Sequence, residues 1–234
     1  MQSQSFYTKV LFLIRGFMIY ICISTVYSRL QDLDLKTWPK SEKIKYIVSC
    51  QGEVVEKLIT YERKLQSIFG PDVIIVFLTG FGLSRNRNAT LNKALQLSKT
   101  SGDYIYICDD DLEVNIEGIL KATDYCLENE IDLLAGNVLT DSGYFKKYSQ
   151  KEYRLNILNS AKVSSVEMLV SVQFLKEKNL KFDEDFGLGS RYPSGEEYIF
   201  CTDLIKCKGK AIYVPITLCY HPPVSSGADF FSFQ

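Results

Sequence analysis

The sequence has no C-x-x-C pair, no internal repeat, no low-complexity tract and no surplus of one charge. Its seven cysteines (Cys22, Cys50, Cys108, Cys126, Cys201, Cys207, Cys219) are odd in number, and their spacing removes the usual zinc and redox-dithiol signatures. Several lie inside apolar runs, where a thiol behaves as a small hydrophobe, so they read as reduced and mostly buried, which points to a reducing cytoplasm. Twenty-seven basic residues against 28 acidic ones give a formal charge of -1, which supplies no global pull towards nucleic acid. Hydrophobic residues at 46% and charged residues at 24% argue against disorder and against a multi-span membrane protein. A chain of 234 residues is long enough to bury one real core, and two independent domains are not expected.

The one long apolar stretch, Val10 to Tyr27, is interrupted by Arg15. A charge at mid-span costs about 2.5–3.5 kcal/mol even on a lenient insertion scale, and no small-residue cleavage site follows. The stretch is therefore split at Gly16. Ile19 to Ser24 reads as a buried strand and Thr25 to Arg29 as a polar loop, leaving residues 1–17 as an extension outside the fold, with Met18 as an alternative start.

Further strands are expected at Lys43 to Cys50, Asp72 to Leu78 and Tyr104 to Cys108. Asp72 to Leu78, continuous and apolar, suits a sheet covered on both faces. Helices are expected at Glu53 to Phe69, from Ser84 to about Lys99, at Asn115 to Asn129, at Ser165 to Lys178 and at Glu197 to Cys207. The alternation predicts an α/β fold with a mostly parallel central sheet flanked by helices, in which residues 18–114 form a nucleotide-binding half and residues 115–234 an acceptor-side half.

Four stretches carry chemistry. The apolar strand Tyr104 to Cys108 runs directly into Asp109-Asp110-Asp111. Ligands bind beyond the carboxyl ends of strands in such sheets, and three clustered carboxylates raise one another's pKa unless a cation such as Mg2+ or Mn2+ compensates. The plainer reading is an acidic turn at a helix start. Between the third strand and its helix, Ser84-Arg-Asn-Arg-Asn88 offers Arg85 and Arg87 to phosphates or a base edge, or is simply a helix capped by Ser84 with exposed arginines. Phe182 to Ser190 carries two glycines, and Gly195-Glu196-Glu197 opens a helix. A carboxylate there can take a proton from an attacking hydroxyl, or merely satisfy the helix dipole. Last, the strand at Tyr213 to Tyr220 ends at His221, which is structural on its own but could complete a metal site begun by the aspartates.

Taken in order, Ser24-Thr-x-x-Ser-Arg29, Ser84-x-x-Arg87-Asn88, Asp109-x-Asp111, Phe182-Asp-Glu-x-Phe-Gly-x-Gly189 with Gly195-Glu-Glu197, and His221-Pro222 resemble the nucleotide-diphospho-sugar transferases of the GT-A fold, of the bacterial family 2 type. The resemblance covers about residues 19–226. It implies an inverting, metal-dependent glycosyltransferase of surface-polysaccharide synthesis that uses a nucleotide-sugar donor and a glycan or lipid-linked glycan acceptor. With the cysteine usage it implies a cytoplasmic location, compatible with contact at the inner face of the cell membrane. It also implies Asp109 and Asp111 as metal ligands with His221, Asp110 near the ribose, and Arg87 near the nucleotide. Ser24, Thr25 and Arg29 would line the base, and Glu197 or Glu196 would be the base catalyst. Many relatives carry an Asp after the second strand where this chain has Gln51, which can still hydrogen-bond a nucleobase. A nucleotidyltransferase is a rival, but it needs a glycine-rich loop after the first strand, and Ser24 to Leu30 has no glycine. A non-catalytic nucleotide-sugar-binding partner of an assembly complex is the other.

Overall fold

A computed structural model describes residues 16–30, 38–52, 63, 67 and 73–221. The expected helix Glu53 to Phe69 lies outside this set except for Arg63 and Ser67, which are both helical, as do residues 1–15 of the expected extension. Phe17, expected outside the fold, instead packs against the core, with Lys43 Nζ 4.3 Å above its ring.

Among the described residues ten strands form one sheet: β1 (Ile19–Val26), β2 (Ile44–Gly52), β3 (Val73–Thr79), β4 (Tyr104–Asp109), β5 (Glu113–Val114), β6 (Leu133–Thr140), β7 (Gly143–Tyr144), β8 (Tyr153–Arg154), β9 (Met168–Ser171) and β10 (Ala211–Tyr220). Their order is β3-β2-β1-β4-β9-β6-β10-β5, with β7 on β6 and β8 on β10. The pairs β1·β2, β1·β4, β2·β3 and β6·β10 are parallel. Between the two parallel blocks runs β9, antiparallel to both β4 and β6.

Alternation along the strands divides the core into two layers. Ile19, Ile21 and Ile23 of β1 face one layer with Tyr104, Tyr106 and Cys108 of β4, beneath helix α2 (Ile116–Asn129), which supplies Ile119, Ala122 and Cys126. Tyr20, Cys22, Ile105 and Ile107 face the other. That second layer is covered by α1 (Leu83–Leu97), α3 (Val172–Lys178) and α4 (Glu196–Lys206). Among these helices α2 is capped as its sequence suggests, Asn115 Oδ1 accepting the N–H of Gly118 at 3.1 Å. Helix α2 lies so close to β10 that a Cβ on Gly118 would sit 1.9 Å from the Thr217 carbonyl oxygen.

Two expectations are corrected. Met168–Ser171 is a strand rather than part of a helix starting at Ser165; these four residues are buried on both sides between β4 and β6, and the helix begins only at Val172. An apolar run this short has no periodicity of its own, and the unfilled hydrogen-bonding edges of β4 and β6 decide its state. β3 is only half-buried, since it ends the strand order among the described residues. The other expected strands and helices within the described residues form to within a few residues of their expected bounds. Six of the seven cysteines are buried and all are free.

Candidate functional site

The parallel strands β1, β2 and β4 end together, Ser24 lying beside both Ser49 and Asp109, so Thr25, Gln51 and Asp109 to Asp111 share one edge of the sheet. Thr25 Oγ1 donates to Asp110 Oδ2 at 2.5 Å, and Arg29 Nη1 pairs with Asp110 Oδ1 at 2.8 Å. Arg29 Nη2 also stands 4.0 Å from Asp111 Oδ2. The middle aspartate is thus the buried, fully engaged member of the triplet. Burial pushes its carboxyl up to about 6 against the opposing pull of Thr25 and Arg29. Gln51 Oε1 accepts the Gly82 N–H at 2.9 Å, linking the end of β2 to the start of α1.

The Ser84 to Asn88 motif acts differently from its sequence reading. Its residues fasten three parts of the chain together. Ser84 does not cap α1; its hydroxyl donates to the Phe186 carbonyl at 2.6 Å. Asn86 Nδ2 donates to the Thr25 carbonyl at 3.0 Å. Asn88 clips the backbone of Phe182 from both sides, donating to its oxygen and accepting from its N–H, each at 2.9 Å. Arg85 donates to the Thr79 carbonyl at 2.7 Å.

Arg87, expected as a phosphate or nucleotide contact, is instead buried at the centre of the site, with a side-chain exposure of 3%. Its Nη2 donates to Ser165 Oγ at 2.7 Å and to Asp109 Oδ1 at 3.4 Å. Its Nη1 donates to Glu196 Oε1 at 3.1 Å and lies 3.5 Å from Glu197 Oε1. Burial alone would lower the guanidinium pKa, but Asp109, Glu197 and Glu196 together carry it above its ordinary value. It stays charged and draws the strand-end aspartate and the helix-start glutamates into one network. Gly187 makes room for this: at φ +103° a Cβ there would meet Ser84 Oγ at 3.1 Å and the Glu196 carboxyl carbon at 3.3 Å.

The two glutamates differ. The Glu196 side chain is 6% exposed, and burial followed by the neighbouring Glu197 raises its carboxyl despite Arg87. Glu197 is 25% exposed and opens towards solvent. Asp109 is raised by burial and by Asp111, with Arg87 opposing. Ser165, which the sequence reading did not single out, is the neutral partner of Arg87. It sits in a one-turn 3-10 segment, Ser165–Glu167, held by a capping box between Ser164 and Glu167.

The site has five carboxylates, Asp109, Asp110, Asp111, Glu196 and Glu197, for two guanidinium groups, Arg29 and Arg87. That imbalance, with Asp109 already raised by Asp111, fits a divalent cation bound by hard oxygens. Among the described residues, however, no three His, Cys, Asp or Glu side chains are grouped to hold a metal, so Asp109, Asp111 and His221 do not form a ready-made ligand set. The pairing of Glu113 with Tyr220 brings the chain after Asp111 alongside His221. The His221 N–H donates to the Leu139 carbonyl at 2.7 Å, and its ring stacks on Phe145 at 5.6 Å. Ser24 Oγ, Asn86 Oδ1 and Arg87 Nε are buried without hydrogen-bond partners among the described residues, a cost folded proteins seldom carry away from functional sites. No helix among the described residues is long and apolar enough to cross a membrane.

Comparison with known proteins bears on the fold and the family. Over 89% of this chain, the fold matches S. aureus TarS 1–349 in complex with UDP-GlcNAc, at 16% identity and a TM-score of 0.61. It matches GalNAc-T7 with UDP, GalNAc and Mn2+ over 90%, at 12% identity and a TM-score of 0.62. The chain spans 59% of the TarS fragment and 44% of GalNAc-T7. These likenesses show the fold, a GT-A α/β sheet. The comparison with curated proteins found no match. At the level of sequence, the profile described as glycosyl transferase family 2 matches residues 43–172, more than half of the chain. The chain belongs to glycosyl transferase family 2.

Proposed function

We propose that this protein moves a glycosyl group from a nucleoside-diphosphate sugar to an acceptor hydroxyl, with inversion, in the making of a surface polysaccharide. Membership of the family and the strand-end carboxylates support this reading, as does the fold shared with TarS bound to UDP-GlcNAc and GalNAc-T7 bound to UDP. The observation that carries it is the buried Arg87, whose one guanidinium contacts Asp109 at the end of β4 and Glu196 and Glu197 at the start of α4; in this reading they are a donor-side carboxylate and the candidate bases.

Asp109 and Asp111 would hold the ion, Mn2+ or Mg2+, which would supply positive charge to the departing diphosphate. Thr25 and Arg29 fix Asp110 and so shape the donor side, where Gln51 and Ser24 lie nearest a nucleobase. Glu197 is the base, being the exposed member of its pair; Glu196, buried on Arg87, holds the guanidinium in place. The acceptor hydroxyl gives its proton to Glu197 as its oxygen forms a bond to the anomeric carbon. The bond from that carbon to the diphosphate oxygen breaks on the opposite face, and the nucleoside diphosphate leaves with the electron pair. The acceptor is a glycan or a lipid-linked glycan. In the variant Glu197→Gln, donor affinity by calorimetry should match wild type while kcat falls by about 10²–10⁴. An unchanged kcat would remove Glu197 from the role.

A further inference from the structure

Eight large apolar side chains are exposed among the described residues, and five of them fall within 15 positions: Tyr144, Phe145, Tyr153, Ile157 and Leu158. Leu158 is 85% exposed. It does not hang on a loose loop. Asn156 Oδ1 accepts the N–H groups of Leu158 at 2.9 Å and Asn159 at 3.0 Å, while Asn159 Oδ1 accepts the Asn156 N–H at 2.7 Å. This double Asn turn presents two consecutive aliphatic side chains outwards. Behind it, the exposed Tyr153 stacks on the buried Tyr213 at 4.7 Å, Tyr213 on the half-buried Tyr148 at 6.2 Å, and Tyr148 meets the exposed Tyr144 edge-on at 5.7 Å, so the two outer tyrosines are backed by one chain of packed rings.

The same segment is strongly basic. Residues 144–162 contain Lys146, Lys147, Lys151, Arg154 and Lys162 with Glu152 as the one carboxylate, in a chain whose formal charge is -1. Lys146 is spent on Glu167, 2.8 Å away, and its Nζ also reaches the Lys162 carbonyl, tying the ends of the segment together. Lys147, Lys151, Arg154 and Lys162 are exposed.

We propose that the face formed by residues 144–162 docks on an anionic membrane surface. A protruding aliphatic pair flanked by tyrosines and cations suits the interface of a bilayer, which takes in a convex apolar tip while its head groups meet the lysines. The charge asymmetry turns this face, rather than the acidic remainder of the chain, towards negative lipid. Phe145, at one end of the face, stacks on His221 beside the strand ends, so docking would hold the candidate site close to a lipid-borne acceptor. The docking itself does not depend on the transfer chemistry.

The test is cosedimentation of the full chain with phosphatidylcholine vesicles, either pure or containing about one-third phosphatidylglycerol. The protein should bind the mixed vesicles and not the pure ones, and added salt should weaken it. Lys147→Ala and Lys151→Ala should each weaken binding about fivefold. The double variant Ile157→Ser, Leu158→Ser should weaken it about tenfold or more. All of these side chains are exposed, so melting temperature and nucleotide binding should match wild type, which separates failure here from failure of the proposed reaction. Absence of binding to the mixed vesicles, equal binding to both kinds, or binding that the variants retain would overturn the proposal. So would self-association that disappears in the Ile157, Leu158 variant without any binding to lipid.

Discussion

Replacing Arg87 by Met tests the centre of the site. The guanidinium is buried and its nearest carboxylate, Glu196, is buried with it, so the variant leaves a carboxylate in a poor environment for charge. Breaking a buried pair from one side costs about 3–5 kcal/mol. The Asp109 contact adds less, being longer at 3.4 Å. For a chain of this length the loss corresponds to a fall in Tm of about 6–20 °C. The pH dependence carries the sign. Burial and Glu197 already hold Glu196 above its usual range, and removal of Arg87 takes away the group that opposes them. A carboxyl raised in the folded state costs stability above its folded pKa, and the cost disappears as pH falls below its unfolded value, about 4.3 for Glu. Urea unfolding followed by Trp38 fluorescence should therefore show the largest gap between variant and wild type near neutrality and a narrowing gap as pH drops towards about 4. A loss below about 1 kcal/mol, or a gap independent of pH, would refute the assignment of Arg87 as the charge link.

Two further changes probe the surroundings. Ser165→Ala removes a hydrogen bond to a charged group, worth about 1.5–3 kcal/mol, and should lower kcat while leaving the donor KM unchanged; wild-type stability and kcat together would show Ser165 to be idle. Gly118→Ala places a methyl 1.9 Å from the Thr217 oxygen, so α2 must shift off β10, at a cost of about 1–3 kcal/mol or more in urea titration; a neutral effect would mean that this contact is looser than described.

Most of the platform was legible because its signals are local. β1, β4 and α2 each carry an unbroken apolar pattern with clear end signals, and the jump from Tyr104-Ile-Tyr-Ile-Cys108 to three aspartates marks a strand end without help from the rest of the chain. β9 was read as helix because Met168–Ser171 gains its strand state only from the two edges it fills. Thr25, Gln51 and Asp109 to Asp111 lie along one edge of the sheet, but the partners of the arginines were not legible. Arg87 meets Ser165 across 78 positions and Glu196 across 109, distances at which no spacing rule operates. A buried arginine also looks the same in sequence as an exposed one, and only packing tells a phosphate contact from an internal tie. Ser165 had no signal of its own beyond the Ser164-x-x-Glu167 capping pattern beside it.

In the proposed reaction Asp109 and Asp111 would grip a divalent ion that holds a nucleoside diphosphate. Calorimetric titration of nucleoside diphosphates with Mn2+ present and with EDTA, on wild type and on Asp111→Ala, addresses this directly. The expected result is that at least one nucleotide binds wild type only when Mn2+ is present, and that Asp111→Ala loses this binding while melting like wild type. Binding of equal strength in EDTA, or in Asp111→Ala with Mn2+, would contradict it.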